Sequence, residues 1–394
     1  MKILFPYMSR WRSANRSRYH QLMTHLCRRG HEVLILTAPP MALSDISSRD
    51  IAEERELPPG LVISELFAPA LLRQFWQMDI PRTKLIKKGL ISISSIPQLR
   101  RVIAKERIDL LFLYNLPQVL LMEVAGCPVH FDLADDLVAM MEGEDRHLFR
   151  YGGRLAADRV QRWMLERAHS VTVASSVLAD QISRPLLMLP NGADLAELDS
   201  LREDEVAESG RAERLVIGFV GALEYWVDLE LLVEVADRRR DCDLLIVGGG
   251  RRLAELQAMI ERRGLPNITL TGPKAYREAM REVSRMDICL LPFTHSPVSD
   301  GSCPLKLFEY AALEKPIIST RTTEVGRIGE GWIHFADQAD EFAEMIEMIR
   351  TQPALIRTAT RRGRSLVEDR YNWPTLAATF DDYISQTITA PPHR

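Results

Sequence analysis

The residues best suited to chemistry stand in one stretch, SDGSCPLKLFEYAALEKPIIST at 299–320. Ser302 and Cys303 lead into Pro304, a residue favoured in the first turn of a helix. Leu305, Leu307, Phe308, Ala311 and Ala312 then predict a helix with apolar, inward sides. Lys306 and Glu309, three positions apart, share one face near its start. Free N–H groups and the positive end of the dipole favour an anion there. A lysine beside them makes a diphosphate site, and a glutamate one turn on can accept hydrogen bonds from two vicinal ribose hydroxyls. The same spacing also fits a plain surface Lys–Glu pair worth about a few tenths of a kcal/mol.

A second group is HFDLADDL at 130–137, with Asp132, Asp135 and Asp136 at the end of an apolar run. Carboxylates facing a cleft from a strand end are what a general base needs. The same residues also serve as helix caps, and at least one of the three is expected to be only that. The D-x-x-D-D string offers oxygen ligands to Mg²⁺, but the sequence has no carboxylate cage with metal spacing, and no metal or cofactor is expected. A third group is MSRWRSANRSRY at 8–19, where Arg10, Arg12, Asn15 and Arg16 stand between a strand and a helix. Guanidinium groups bind phosphate and carboxylate bidentately, and arginine is electrostatically disfavoured at a helix start. An anionic acceptor explains the cluster; a basic helix start exposed to water explains it too. The glycines at 248–250 make a tight turn that would also let backbone approach a nucleotide. His295, in the loop before the phosphate helix, is the one histidine placed near that site.

The elements that must position these groups alternate short apolar runs with helical stretches, the pattern of parallel α/β sheets. Strands are predicted at 2–7, 32–37, 61–68, 108–114, 127–133, 170–174 and 185–190, and a second set at 215–221, 243–250, 267–272, 287–293 and 316–320. Between the sets, DSLREDEVAESGRAE at 199–213 is almost wholly polar and reads as a linker. The predicted organisation is two tandem Rossmann-like domains, 1–198 and 214–370, with a cleft between them. Residues 371–394 are predicted as a C-terminal helix packing back on the first domain. Ligands of such sheets sit beyond the strand C-termini.

Composition sets limits. The chain of 394 residues is 46% hydrophobic and 26% charged, as in ordinary globular proteins, and its net charge of −4 argues against nucleic-acid binding. No apolar run reaches the roughly 18 residues of a membrane span, and the first strand is too short and too soon charged for a signal peptide. Five cysteines without C-x-x-C spacing read as free thiols of a cytoplasmic protein. Residues 1–110 carry 18 Lys and Arg against 10 Asp and Glu, a balance of +8 that leaves −12 for the rest. The stretch 70–107 mixes Phe75, Trp76, Leu85, Ile86 and Leu90 with cations. It fits peripheral contact with anionic lipid at the inner face of a membrane, or ordinary helix packing with snorkelling cations.

The segment 299–320 resembles the C-terminal signature of the family-4-like, group 1 glycosyltransferases, a glutamate-bearing helix followed by a "kPii.t" strand. The likeness runs over nearly the whole chain: NGADL (191–195) resembles the end of their first domain, and GFVGALEYWVDLELL (218–232), LLIVGGG (244–250) and ITLTGPKAY (268–276) resemble successive strands and turns of their second. The resemblance implies the GT-B fold and transfer of a sugar from a UDP- or GDP-sugar to a glycan or lipid-linked hydroxyl in cell-surface polysaccharide or glycolipid synthesis. It implies donor binding by Gly221, Gly248, Lys274, Ser302, Cys303, Leu305, Lys306 and Glu309, and a catalytic or acceptor-positioning residue near Asp132. Two departures stand out. The family's earlier glutamate, eight positions before Glu309, is here Gly301, and the basic residue expected after the first turn of the second domain is replaced by Glu224 and Asp228. A nucleotide-sugar epimerase of the same architecture and a non-catalytic nucleotide-sugar-binding protein are the rival readings.

Overall fold

The computed structural model describes residues 1–12, 16–39, 56–78, 80, 83–123, 125–144, 152–206 and 214–389. Among them, seven strands form one parallel sheet: β1 (Lys2–Tyr7), β2 (Glu32–Thr37), β3 (Leu61–Glu65), β4 (Leu110–Leu113), β5 (Val129–Leu133), β6 (Ser170–Val173) and β7 (Leu187–Met188), in the order β3-β2-β1-β4-β5-β6-β7. Six more form a second: β8 (Leu215–Val220), β9 (Cys242–Val247), β10 (Ile268–Gly272), β11 (Ile288–Leu291), β12 (Ile317–Ser319) and β13 (His334–Phe335), in the order β10-β9-β8-β11-β12-β13. Strands covered on both faces by helices must be apolar throughout; Ile3, Leu4 and Phe5 and the whole of Leu110–Leu113 are fully buried for that reason. In each sheet the order reverses beside its first strand, between β1 and β4 and between β8 and β11. That reversal opens a crevice at the strand C-termini. Among the described residues, no helix is long and apolar enough to cross a membrane.

The stretch expected to be a linker begins inside a helix, Leu195–Val206. Its Leu198 and Leu201 are buried in one cluster with Tyr276, Met280, Leu307 and Phe308 of the second sheet's helices. The apolar spacing is helical but sits in a charged background, so composition hid it. Residues 207–213 lie outside the described residues.

The final helix, Trp373–Thr389, returns to the first sheet and packs on the helix Arg18–Arg28. Trp373, Phe380 and Ile384 share a buried cluster with Ile3, Phe5 and Leu22. The outgoing and returning strands of chain touch where they cross: Ala193 N–H donates to Tyr371 O at 2.8 Å and Trp373 N–H to Ala193 O at 3.2 Å.

One core histidine makes stability depend on pH. His130 on β5 is fully buried, with Ser170 Oγ 2.8 Å from Nδ1 and Thr172 Oγ1 2.9 Å from Nε2. Burial pushes its pKa down to about 3, against about 6.5 in an unfolded chain. The folded protein therefore holds this ring neutral while the unfolded chain takes up a proton between those values, so stability falls as pH drops from 6.5 towards 3. At about 1.4 kcal/mol per pH unit, His130 alone accounts for at most roughly 5 kcal/mol over that window. Urea unfolding of His130→Gln between pH 4 and 6.5 should show a flatter dependence than the parent chain; equal slopes would refute this.

Candidate functional site

The helix Leu305–Ala312 is held from inside. Leu307, Phe308, Tyr310, Ala311 and Ala312 are buried, and the Tyr310 hydroxyl accepts from Val220 N–H at 2.9 Å. Pro304 occupies its N-cap position. This fixes the helix start against the C-terminal end of β8 and turns the remaining side outward, where Lys306 is 26% and Glu309 only 4% exposed. Lys306 Nζ lies 2.8 Å from Glu309 Oε2, yet off the line of a hydrogen bond, so that buried oxygen has no hydrogen-bond partner. The Tyr276 hydroxyl is buried next to Glu309. Burial, then the nearby Glu309 charge, push that phenol well above its usual pKa. A ligand hydroxyl donating to this Glu309 oxygen would supply the hydrogen bond that the Lys306 ion pair does not.

The chain leading into this helix is gripped by the first sheet's loops. Asn191 Nδ2 donates to Cys303 O, and Ser175 Oγ donates to Gly301 O at 2.7 Å. Cys303 is buried and its thiol is pushed up to about 12 by that burial, so it contributes backbone and packing, not a thiolate. Ser302 is half-buried beside it, and Leu305 packs against the core of the first sheet. Gly221 and Gly248 meet each other: Gly248 has φ +146°, and a Cβ on it would fall 1.9 Å from Gly221 O. The packing of the two turns therefore requires a glycine at 248, and a Cβ on Gly221 would fall 2.8 Å from the Phe219 ring, whatever ligand approaches. Lys274 is paired with Glu282, Nζ to Oε1 2.5 Å, and Glu224, which stands where a basic residue was expected, binds Arg251 at 2.7 Å. Asp228 caps the following helix by accepting from Leu231 N–H at 2.9 Å. His295 is exposed and pairs with Asp337 at 2.9 Å.

The three aspartates are not brought together at the cleft. Asp132 has no exposed surface; its carboxylate accepts from Arg18 Nε at 2.9 Å, Arg18 Nη2 at 2.7 Å and Thr172 Oγ1 at 2.5 Å. Burial alone would raise this carboxyl, but the Arg18 charge and these hydrogen bonds outweigh it and hold it below the usual carboxylate value. The expectation of Asp132 as a cleft-facing base is thereby corrected. Asp136 Oδ1 accepts from Ala139 N–H at 2.9 Å at the start of the helix Leu137–Glu144. Asp135 is half-buried, and its charge reaches both Tyr19 and Cys303.

Of the arginine cluster, Arg12 and Arg16 line one cavity of about 370 Å³ with Trp11, His20, Arg28 and Asp194. Arg16 also crosses to the second sheet's side: it pairs with Glu197 and its guanidinium sits 4.9 Å from the Tyr276 ring centre, with Lys306 5.8 Å from the same ring. Arg10 is half-buried and outside that lining; Asn15 lies outside the described residues. Sequence reasoning missed Tyr276 as a site residue, although it stands two positions after Lys274, and missed the domain-bridging Asn191.

With this geometry in view, two family models divide the chain between them. A "Glycosyl transferase 4-like domain" model matches residues 16–192, and a "Glycosyl transferases group 1" model matches residues 214–351. The protein is a group 1 glycosyltransferase. Over 227 residues it is 25% identical to TuaH of Bacillus subtilis, a protein assigned to teichuronic acid biosynthesis as a glycosyltransferase, covering 55% of this chain and 56% of that one. It thus spans about half the length of the curated relatives it matches. Among solved structures it is similar to sucrose-phosphate synthase from Thermosynechococcus elongatus, with a TM-score of 0.78, 18% identity and 99% and 100% of the two chains covered. It is also similar to Anabaena HepE in complex with UDP-glucose, with a TM-score of 0.65, 14% identity and 98% and 100% covered. These likenesses establish the GT-B fold for this group 1 glycosyltransferase.

Proposed function

We propose that the protein transfers a sugar from a UDP- or GDP-sugar to a hydroxyl of a glycan or lipid-linked acceptor. The observation that carries this is the Lys306–Glu309 pair at a helix start, with a buried Glu309 oxygen that has no hydrogen-bond partner. In this reading Lys306 and the helix N-terminus stabilise the leaving diphosphate as its charge develops, without a metal. Glu309 accepts from the ribose hydroxyls beside Tyr276, and Asp135 takes the acceptor proton. Gly301 offers no carboxylate to the donor sugar. Arg12, Arg16 and Arg28, together with the carboxylates Glu56 and Asp194, line a cavity that takes the acceptor. The teichuronic acid assignment of TuaH supports an acceptor in cell-surface polysaccharide synthesis, met in the cytoplasm at the inner face of the membrane.

The test is incubation with UDP- and GDP-sugars, with and without candidate acceptors, in the presence of EDTA, following free nucleoside diphosphate. Acceptor-dependent release is the expected result. Epimerised donor without release, or donor binding without any turnover, would replace this reading with an epimerase or a binding protein.

A further inference from the structure

We propose that the outer face of the helix Lys84–Glu106 is a docking surface for an anionic lipid bilayer. The proposal rests on, and deepens, the reading of a membrane-borne acceptor. Ile86, Leu90 and Ile93 follow one another at spacings of four and three, so they share one stripe of this helix. All three are exposed, Ile86 at 55%, and Pro97, Arg100 and Arg101 continue the same stripe as exposed residues. Phe67 sits at its flank: its N–H donates to Gln98 and its carbonyl accepts from Ser94 on the same helix. Leu71, on the adjoining helix Ala70–Gln77, is 81% exposed. The surface is therefore a set of large apolar side chains that none of the described residues covers, running into cations along one helix.

The aromatic residues that the sequence suggested as anchors are not part of it. Trp76 is buried, donating from its indole N–H to Pro39 O at 2.9 Å, and Lys87 is buried with its ammonium 5.2 Å from the Phe75 ring centre. What reaches solvent is a set of aliphatic side chains with Phe67 at their flank, which composition did not distinguish from core. Clusters of this size on a soluble protein mark an interaction site. Charge decides the occupant. Residues 65–107 contain nine Lys and Arg against three acidic residues in a chain whose net charge is −4; Lys87 is buried and Arg73 pairs with Glu65, but Arg100 and Arg101 stand exposed at the end of the apolar stripe. A second copy would set this basic face against itself, whereas an anionic leaflet attracts the cations while the apolar stripe enters the headgroup boundary. An amphipathic face laid on the membrane would also hold the protein beside a lipid-linked acceptor without a spanning segment.

The experiment is co-sedimentation of the full chain with vesicles of phosphatidylcholine alone or mixed with phosphatidylglycerol, at 0.1 M and 1 M salt. Over that range the screening length shrinks from about 10 Å to about 3 Å. Binding should require phosphatidylglycerol and weaken steeply with salt. The double variant Leu90→Glu, Ile93→Glu should bind at least tenfold more weakly at 0.1 M salt, with an unchanged melting temperature and unchanged thermal stabilisation by donor nucleotide. Equal pelleting with both vesicle types, no pelleting with either, or full binding by the double variant would overturn the proposal. So would a dimer, seen by sedimentation equilibrium, that the double variant dissolves. Because donor binding is read separately, its loss would count against the donor site and not against this surface.

Discussion

Lys306→Ala should lower donor affinity and turnover at least tenfold and leave the fold in place. A charge-assisted hydrogen bond to a diphosphate is worth roughly 1.5–3 kcal/mol, and about 1.4 kcal/mol is a factor of ten. The helix that carries Lys306 is anchored by Leu307, Phe308 and Tyr310, not by the lysine, which is a quarter exposed. Removing it therefore takes away charge at the cleft more than it takes away packing, and its pair with Glu309 is partly screened by water. Glu309→Gln keeps the shape and loses the charge, so its effect should fall on donor binding. Donor Kd, the rate of nucleoside diphosphate release and the melting temperature, measured together, separate these contributions. Unchanged turnover in Lys306→Ala would remove the diphosphate site from this helix.

The largest effect on stability is expected at Arg18→Leu. Arg18 is the buried partner of Asp132 and also donates from Nη1 to Leu189 O at 2.9 Å and Asn191 Oδ1 at 3.2 Å. Breaking one side of a buried ion pair costs about 3–5 kcal/mol, because the other charge is left without compensation. For a domain near 200 residues that is a fall in Tm on the order of 10 °C. Thermal unfolding followed by circular dichroism reads it; a change below about 2 °C would mean that the pair contributes little. Asn191 connects Arg18 to Cys303 O at the head of the donor helix, so variants that retain a folded population should also bind donor less well.

Much of the architecture was legible because parallel strands covered on both faces leave continuous apolar runs such as KILFPY and EVLILT. The Lys306–Glu309 pair was legible because its geometry is local to one helical turn. What was not legible depends on distant partners. From sequence, Asp132 is a carboxylate at a strand end; only the fold brings Arg18, 114 positions earlier, against it. Trp76 looked like a surface anchor because its cover, Pro39, lies 37 residues away. The helix Leu195–Val206 was hidden because its charged residues outnumber the leucines that fix it, and β13 because two residues are too few to show a pattern.

The helix Trp373–Thr389 has a consequence for how the protein is made. Its Trp373, Phe380 and Ile384 complete the apolar wall behind β1, at the other end of the described residues. The N-terminal half therefore cannot close while the C-terminal half is still being synthesised. Ile3, Phe5 and Leu22 stay uncovered until this helix has been made, and during that interval the nascent chain offers them to chaperones. A stop codon just before Tyr371 would leave that wall bare and yield an aggregating fragment in place of a smaller enzyme.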